Sequence, residues 1–208
     1  MAATIPIFPL PDVVLFPNVF LPLHIFEPRY VAMVTDALDG DRMIGMVLLR
    51  PGWEGDYEGR PPVFPTGCAG LISHHERLPD GRYNIVLRGL EKFRVEHEDD
   101  SRVYRVARVS TMHEPLPEAD RVGVRTARRR LEALLVPQPQ GRARDPRVAL
   151  SMNDEDLINA LAQYMKLEPL EKQALLEREG LLARCRSLIE LLEMKMIVAR
   201  HGWTTERH

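Results

Sequence analysis

Five prolines interrupt an apolar stretch near the start of the chain. The stretch runs from Ile5 to Phe26, and its prolines are Pro6, Pro9, Pro11, Pro17 and Pro22. Proline breaks the interior of a helix, so the stretch predicts neither a membrane-spanning helix nor the apolar core of a signal peptide, and we predict no targeting segment. Proline suits edge strands and strand crossings, where no ladder hydrogen bond is required.

The composition of the chain changes near Met112. Up to about Met112, β-branched and aromatic residues are broken by Pro and Gly, whereas the last stretch is rich in Leu and nearly free of both. We therefore predict an α+β fold, with a β-rich subdomain at residues 1–116 and a helical subdomain at residues 117–208. The predicted strands are Ile44–Leu49, Cys68–Ile72, Tyr83–Leu87 and Val103–Val109.

Glycine and proline positions divide the chain further. Asp80 and Gly81 predict a hairpin turn, and Gly89 predicts a bulge or a sharp bend in a long strand. A helix is predicted at Pro28–Leu38, with Tyr30, Met33, Val34 and Leu38 on one face. Later helices are predicted at 118–135, at 169–178 and at Leu181–Arg200, with a linker at Pro137–Pro146. Another helix is predicted to begin at a cap formed by Ser151 or Asn153 and to end before Pro169.

The charges and cysteines exclude several classes of protein. Lys and Arg number 28 against 30 Asp and Glu, a net charge of -2, so no global basic excess predicts nucleic acid or an anionic membrane as partner. Cys68 and Cys185 are far apart and in no CxxC pair. They predict buried, inert thiols and a reducing cytoplasm rather than a disulfide framework or a zinc site.

Catalytic motifs are missing from these 208 residues. Gly40 and Gly45 have the spacing of a phosphate-binding loop, but Met46 replaces its lysine, and there is no G-x-G-x-x-G or G-x-S-x-G motif. His74 and His75 could bind a metal with a third ligand, although adjacent strand residues point to opposite faces. We predict a non-enzymatic protein without a cofactor or metal. A hydrolase using His24 or His74 with a carboxylate is the less favoured alternative, because no nucleophile accompanies either histidine.

Two sets of residues are candidates for binding. Trp53 and Tyr57 lie on an aperiodic loop, Arg50–Pro62, where such rings either anchor a partner or fold back over the core. The second set is a basic region that could engage phosphates, or could be a solvated helix face with a charged loop. Its arginines are Arg125, Arg128, Arg129, Arg130, Arg142, Arg144 and Arg147.

Several spaced motifs resemble a known family. Ile5–Leu10, Val14–Pro17 and Leu21–Tyr30 are similar to the start of the N-terminal domain of Lon proteases, a fold also found in cereblon. The resemblance continues through Gly67–Ala69, Asp80–Ile85, Gly89–Val95, Glu171–Glu177 and Arg184. Lys92 stands where the family's G-x-x-R-F pattern has Arg.

The resemblance implies a PUA-like pseudo-barrel followed by a helical bundle, and a role in recognising unfolded or tagged polypeptides. It also implies self-association and a protease or ATPase partner. The ATPase and Ser-Lys peptidase motifs of full Lon proteases are not in this sequence, so we expect a stand-alone module that captures exposed segments, as an adaptor or weak holdase. The alternative is RNA binding through the Arg125–Arg147 region, since PUA-like folds serve RNA elsewhere. His24 and Glu27 are a possible binding pair, but a buried His24 bonded to a backbone carbonyl is the favoured interpretation.

Overall fold

A computed structural model describes residues 2–57, 59–135 and 152–202. They divide into two compact units, one of Met1–His113 with Asn159–Glu177 and one of Glu114–Ile158 with Arg178–His208. The first unit thus includes a helical segment, 159–177, that the sequence division assigned to the helical subdomain. The boundary between residues 116 and 117 stays a prediction about independently folding domains.

Six strands form a single sheet in the first unit. They are β1 (Ala2–Leu10), β2 (Phe20–Ile25), β3 (Met43–Leu48), β4 (Thr66–Arg77), β5 (Tyr83–Asp99) and β6 (Val106–Met112). Their order is β2-β5-β4-β3-β1-β6, and a further pairing of β5 with β6 closes five strands into a ring. β2 pairs with the first half of β5 and β6 with the second half. The predicted pseudo-barrel is confirmed.

Both faces of β1 are buried, in two separate apolar clusters. Ile5 and Ile7 belong to a cluster that draws residues from all five strands of the ring and therefore fills it. Phe8, on the opposite face, belongs to a second cluster. This second cluster is covered by helix α1 (Pro28–Asp39), whose buried face is Tyr30, Met33, Val34 and Ala37, while Leu38 is half-buried.

The family motifs around β4 and β5 have structural explanations. The ring of Phe93 fills the barrel so closely that a Cβ on Gly67 would lie 2.6 Å from it. Gly89 lies against the crossing segment 16–19, where its N–H donates to the carbonyl of Val19 at 2.8 Å. The register between β4 and β5 shifts beside Gly89, so the predicted bulge is present.

Four further α-helices follow the barrel within the residues that the structure describes. They are α2 (Arg121–Leu135), α3 (Asp154–Tyr164), α4 (Pro169–Leu176) and α5 (Leu181–Gly202). The side chain of Asn153 accepts a hydrogen bond from the backbone N–H of Asp156 at 2.8 Å, and so caps α3 as predicted. Ser151 and the linker Pro137–Pro146 lie outside the described residues. Of the helices described, none is long and apolar enough to span a membrane.

One predicted strand is displaced. β6 begins at Val106 rather than at Val103, because Asp99 of β5 already pairs with Val106 and the intervening residues reverse the chain. Val103 is exposed, and the hydroxyl of Tyr104 donates to Asp36 of α1 at 2.6 Å. The apolar residues of the predicted strand did not indicate how many residues the chain needs to reverse direction between β5 and β6.

The close approach at Gly89 generates a stability prediction. A Cβ there would lie 2.0 Å from the backbone carbonyl oxygen of Phe16, which belongs to a packed crossing and has little room to move. We expect Gly89→Ala to lower the free energy of unfolding by roughly 1–3 kcal/mol, the usual cost of overpacking, as measured by urea denaturation. Gly55→Ala is the matched control, because nothing lies within 4 Å of its Cβ position. Equal stability of the two variants would contradict the described crossing.

The two cysteines generate a second prediction. Cys68 and Cys185 are both free and buried, and burial raises the pKa of the Cys185 thiol to about 11. At pH 8 this group is almost entirely protonated, and the thiolate is the nucleophile. We expect slow labelling of both thiols by iodoacetamide at pH 8 in the native protein and rapid labelling in urea, with mass spectrometry as the readout. Rapid native labelling of Cys185 would contradict its described burial.

Candidate functional site

Trp53 and Tyr57 lie on a short loop that is held closed at its base. This 50–62 loop is bounded by a bridge between Leu49 and Val63, and a single turn of 3-10 helix, Trp53–Asp56, forms within it. The two rings meet edge to face with centroids 5.5 Å apart. Both are half-buried and pack against the cluster that fills the ring. Each ring therefore covers the core with part of its surface and leaves the rest accessible.

Glu27 and Arg29 attach this loop to the start of α1. The hydroxyl of Tyr57 donates to Oε1 of Glu27 at 2.8 Å, and Arg29 pairs with the same carboxylate at 3.0 Å. Arg29 also donates to the backbone carbonyl of Tyr57 at 3.3 Å, and its guanidinium lies 5.0 Å from the centre of the Tyr57 ring. Burial and the bond to Glu27 raise the pKa of Tyr57, so its hydroxyl stays a donor at neutral pH.

The loop borders a groove that also contains residues from the start of α4. Trp53 and the half-exposed Leu170 line the same groove, whose volume is about 340 Å³. Its remaining lining residues are Pro11, Leu49, Pro51, Glu54, Glu168 and Pro169. Glu168 and Glu171 form a reciprocal capping box that begins α4 at Pro169. Leu170 is consequently presented from a fixed helix terminus, at 49% exposure.

Leu170 was not predicted as a site residue. In the sequence it is one more leucine in a helix, and such residues are usually buried. It faces outward because the buried positions of α4 are Gln173, Leu175 and Leu176. Only the docking of α4 onto the barrel reveals that Leu170 shares a groove with Trp53.

His24 lies on a different surface, and its predicted environment is wrong. It is exposed, because alternate residues of β2 face outward, and its Nδ1 lies 2.8 Å from Oδ1 of Asn84 rather than against a backbone carbonyl. Arg82 approaches the other ring nitrogen at 3.2 Å. Glu27 bonds to Tyr57 and Arg29 instead, so the structure does not join His24 and Glu27 in a pair.

The surface around His24 is a second exposed feature of the first unit. β2 ends the order of the described strands, and Phe20 and Phe26 are 50% and 61% exposed. A depression of about 360 Å³ brings His24 and His74 together with Glu76. Within the described residues there is no group of three or more His, Cys, Asp or Glu side chains placed to hold a metal.

The predicted phosphate-binding arginines have different environments. Arg128 is mostly buried and pairs with Glu132 and Asp154 at 2.8 and 2.9 Å. Arg130 forms a two-pronged pair with Glu193. Arg125 and Arg129 are exposed on α2. The last three of the predicted set, Arg142, Arg144 and Arg147, lie outside the described residues.

Comparisons with known proteins agree with this architecture. The chain is 27% identical to Lon protease of Escherichia coli (strain K12) over 198 residues, and 28% identical to Lon protease 2 of Myxococcus xanthus over 196 residues. Each match covers 92% of this chain but only 25% and 24% of the relative, so the chain spans about a quarter of their length.

Solved structures show the same fold. A Lon N-terminal domain protein from Xanthomonas campestris matches with a TM-score of 0.59 and 23% identity, over 90% of this chain and 98% of that one. The N-terminal domain of Mycobacterium avium complex Lon protease matches with a TM-score of 0.65 and 18% identity, over 92% and 98%. The family model described as the ATP-dependent protease La (LON) substrate-binding domain matches residues 4–194. The chain therefore belongs to the Lon substrate-binding domain family.

Proposed function

We propose that this protein is a non-enzymatic module that holds extended, apolar segments of other polypeptides in the groove between Trp53 and Leu170. Family membership supports the capture of polypeptide substrates, and the relatives are Lon proteases, which supports delivery of those substrates to an ATP-dependent protease. A role as adaptor or weak holdase, with self-association, is part of the same proposal. The two free thiols favour a reducing cytoplasm as its location.

The observation that carries the proposal is the shared lining of the groove. Trp53 offers a ring that is half-buried, and Leu170 offers an aliphatic side chain that is half-exposed, so neither has its apolar surface fully covered within the protein. A partner's apolar side chain inserted between them removes both surfaces from water. Proline at three other lining positions adds rigid apolar surface without a competing backbone donor.

The attachment of the 50–62 loop favours binding further. Tyr57 is held by Glu27 and Arg29, and its ring packs on that of Trp53. The groove therefore exists before a partner arrives, and less conformational entropy is lost when a segment binds. Glu27 and Arg29, which belong to the family-like motif Leu21–Tyr30, thus have a role that involves no direct contact with the substrate.

The decisive experiment uses Trp53 as a reporter. The chain has two tryptophans, so Trp203→Phe leaves Trp53 alone. We expect the emission of Trp53 to shift saturably when reduced, carboxymethylated ribonuclease A, a permanently unfolded chain without tryptophan, is added. Leu170→Ser should weaken binding about tenfold or more, because it removes an apolar wall.

Phe26→Ser is the matched control for Leu170→Ser. Phe26 is an exposed apolar residue of the same unit but does not line the groove. Unchanged affinity in Phe26→Ser together with a loss in Leu170→Ser supports the groove. A loss of affinity in Phe26→Ser with unchanged affinity in Leu170→Ser would place the binding site on the β2 surface and refute the placement proposed here.

RNA binding through the Arg125–Arg147 region is the alternative function, and within the described residues Arg125 and Arg129, which are exposed on α2, favour it. Phosphate contacts release counterions, so such binding must weaken steeply between 50 and about 200 mM salt. We expect Arg125→Ala with Arg129→Ala to leave polypeptide binding unchanged. Two results together would favour RNA binding over the proposed function. The first is salt-sensitive binding of a labelled single-stranded RNA that this double variant abolishes, and the second is that the protein binds no polypeptide.

The hydrogen bond that holds the loop generates a prediction of its own. Tyr57→Phe keeps the ring but removes the donor to Glu27, so the 50–62 loop becomes less ordered and its ordering on binding costs more. We expect an affinity for the unfolded chain about three- to tenfold weaker, in line with roughly 1 kcal/mol for one hydrogen bond. Tyr164→Phe is the control, since its hydroxyl donates to the carbonyl of Phe20 away from the groove. Equal affinities of the two variants would mean that the bond from the Tyr57 hydroxyl to Glu27 does not help to hold the loop for binding.

A further inference from the structure

The charged side chains that line the Trp53–Leu170 groove have the same sign. Glu54 comes from the 50–62 loop and Glu168 from the start of α4, and both are exposed. Among the described residues that line this groove there is no Lys, Arg or His. The groove thus combines apolar walls with two carboxylates from two different elements.

Two cationic residues that are close in sequence to groove-lining residues bond to other parts of the protein. Arg50, at the start of the 50–62 loop, donates through Nε to the carbonyl of Val63 at 3.0 Å, and its guanidinium lies 5.7 Å from the centre of the Phe64 ring. Lys172, in α4, donates to the carbonyl of Gln163 at 2.6 Å. Neither side chain lines the groove. The two carboxylates are therefore not neutralised by these neighbours.

The position of Glu168 is set by the capping box. Its side chain accepts a hydrogen bond from the backbone N–H of Glu171, while Glu171 accepts from the N–H of Glu168 at 2.8 Å. The carboxylates of Glu168 and Glu171 offset the partial positive charge at the N-terminus of α4. A carboxylate has about four acceptor sites, so capping leaves Glu168 able to receive a further donor.

Two other grooves in the described part of the chain lack this charge pattern. The groove between α2 and α5 contains Arg130 and Glu193, which already pair with each other. The depression on the β2 surface mixes Glu76 with His24 and His74. A selective attraction for cations therefore distinguishes the Trp53–Leu170 groove from these two.

We infer that this groove selects extended segments in which an apolar residue is flanked by Lys or Arg. The inference rests on the proposed function and names its substrate class. The apolar residue occupies the space between Trp53 and Leu170, and the flanking cations approach Glu54 and Glu168. Exposed ion pairs are weak individually and are screened by salt, so two of them produce a preference of about three- to tenfold at low ionic strength.

The test compares three synthetic peptides that share the core Leu-Phe-Leu and lack Trp. Their flanking residues are Lys in the first, Gln in the second and Glu in the third. Titrations follow Trp53 emission in the Trp203→Phe protein. At 50 mM salt we expect the Lys peptide to bind about three- to tenfold tighter than the Gln peptide and the Glu peptide to bind weakest. At 500 mM salt the three affinities should converge.

Variants locate the preference. Glu54→Gln with Glu168→Gln should make the Lys and Gln peptides bind equally, and glutamine retains an acceptor for the helix cap. Glu91→Gln with Glu179→Gln removes the same charge at two exposed positions that do not line the groove. This control should keep the preference.

The outcomes separate the inference from the proposed function. Equal binding of the Lys and Gln peptides at low salt refutes the charge selection while polypeptide capture stands. Loss of the preference in the Glu91 and Glu179 control also refutes it, because the effect would then belong to the net charge. Failure of every peptide and of the unfolded chain to bind refutes the proposed function itself.

Discussion

The buried ammonium group of Lys92 holds helix α4 on the barrel. Its Nζ donates to the carbonyl of Leu176, at the end of α4, at 2.9 Å, and the amide of Gln173 donates to the carbonyl of Thr66 at 3.0 Å. Lys92 and Gln173 are 1% and 2% exposed, and the loss of a hydrogen bond made by a buried charged group is destabilising. These bonds fix the position of α4 against the barrel, and so place Leu170 beside Trp53.

The residues that identify the family are mostly folding residues with an indirect effect on binding. Phe93 fills the ring against Gly67, and Gly89 allows the 16–19 crossing to lie on β5. Glu27 and Arg29 hold the 50–62 loop through Tyr57. None of these residues lines the Trp53–Leu170 groove, so their effect on it is through the position of the barrel and the loop.

The sequence was a good guide where a pattern is local. The hairpin at Gly81, helix α1 and the Asn153 cap depend on residues within one or two turns, and all were predicted. It was a poor guide where distant segments meet. His24 was expected to be buried and bonded to a backbone carbonyl, but the alternation of an edge strand turns it outward. Leu170 was missed because helical periodicity does not show which face of α4 the barrel covers.

Residue type and spacing by themselves determined the α+β class, because turns, caps and alternation are short-range effects, and they showed that familiar catalytic motifs are absent from these 208 residues. The pseudo-barrel was implied by the resemblance to the N-terminal domain of Lon proteases. Trp53 and Tyr57 could be singled out because aromatic residues in an aperiodic loop are unusual. The groove was decided only by the tertiary structure. Trp53, Leu170, Glu54 and Glu168 come from two elements far apart in the chain, and the docking of α4 onto the barrel brings them together.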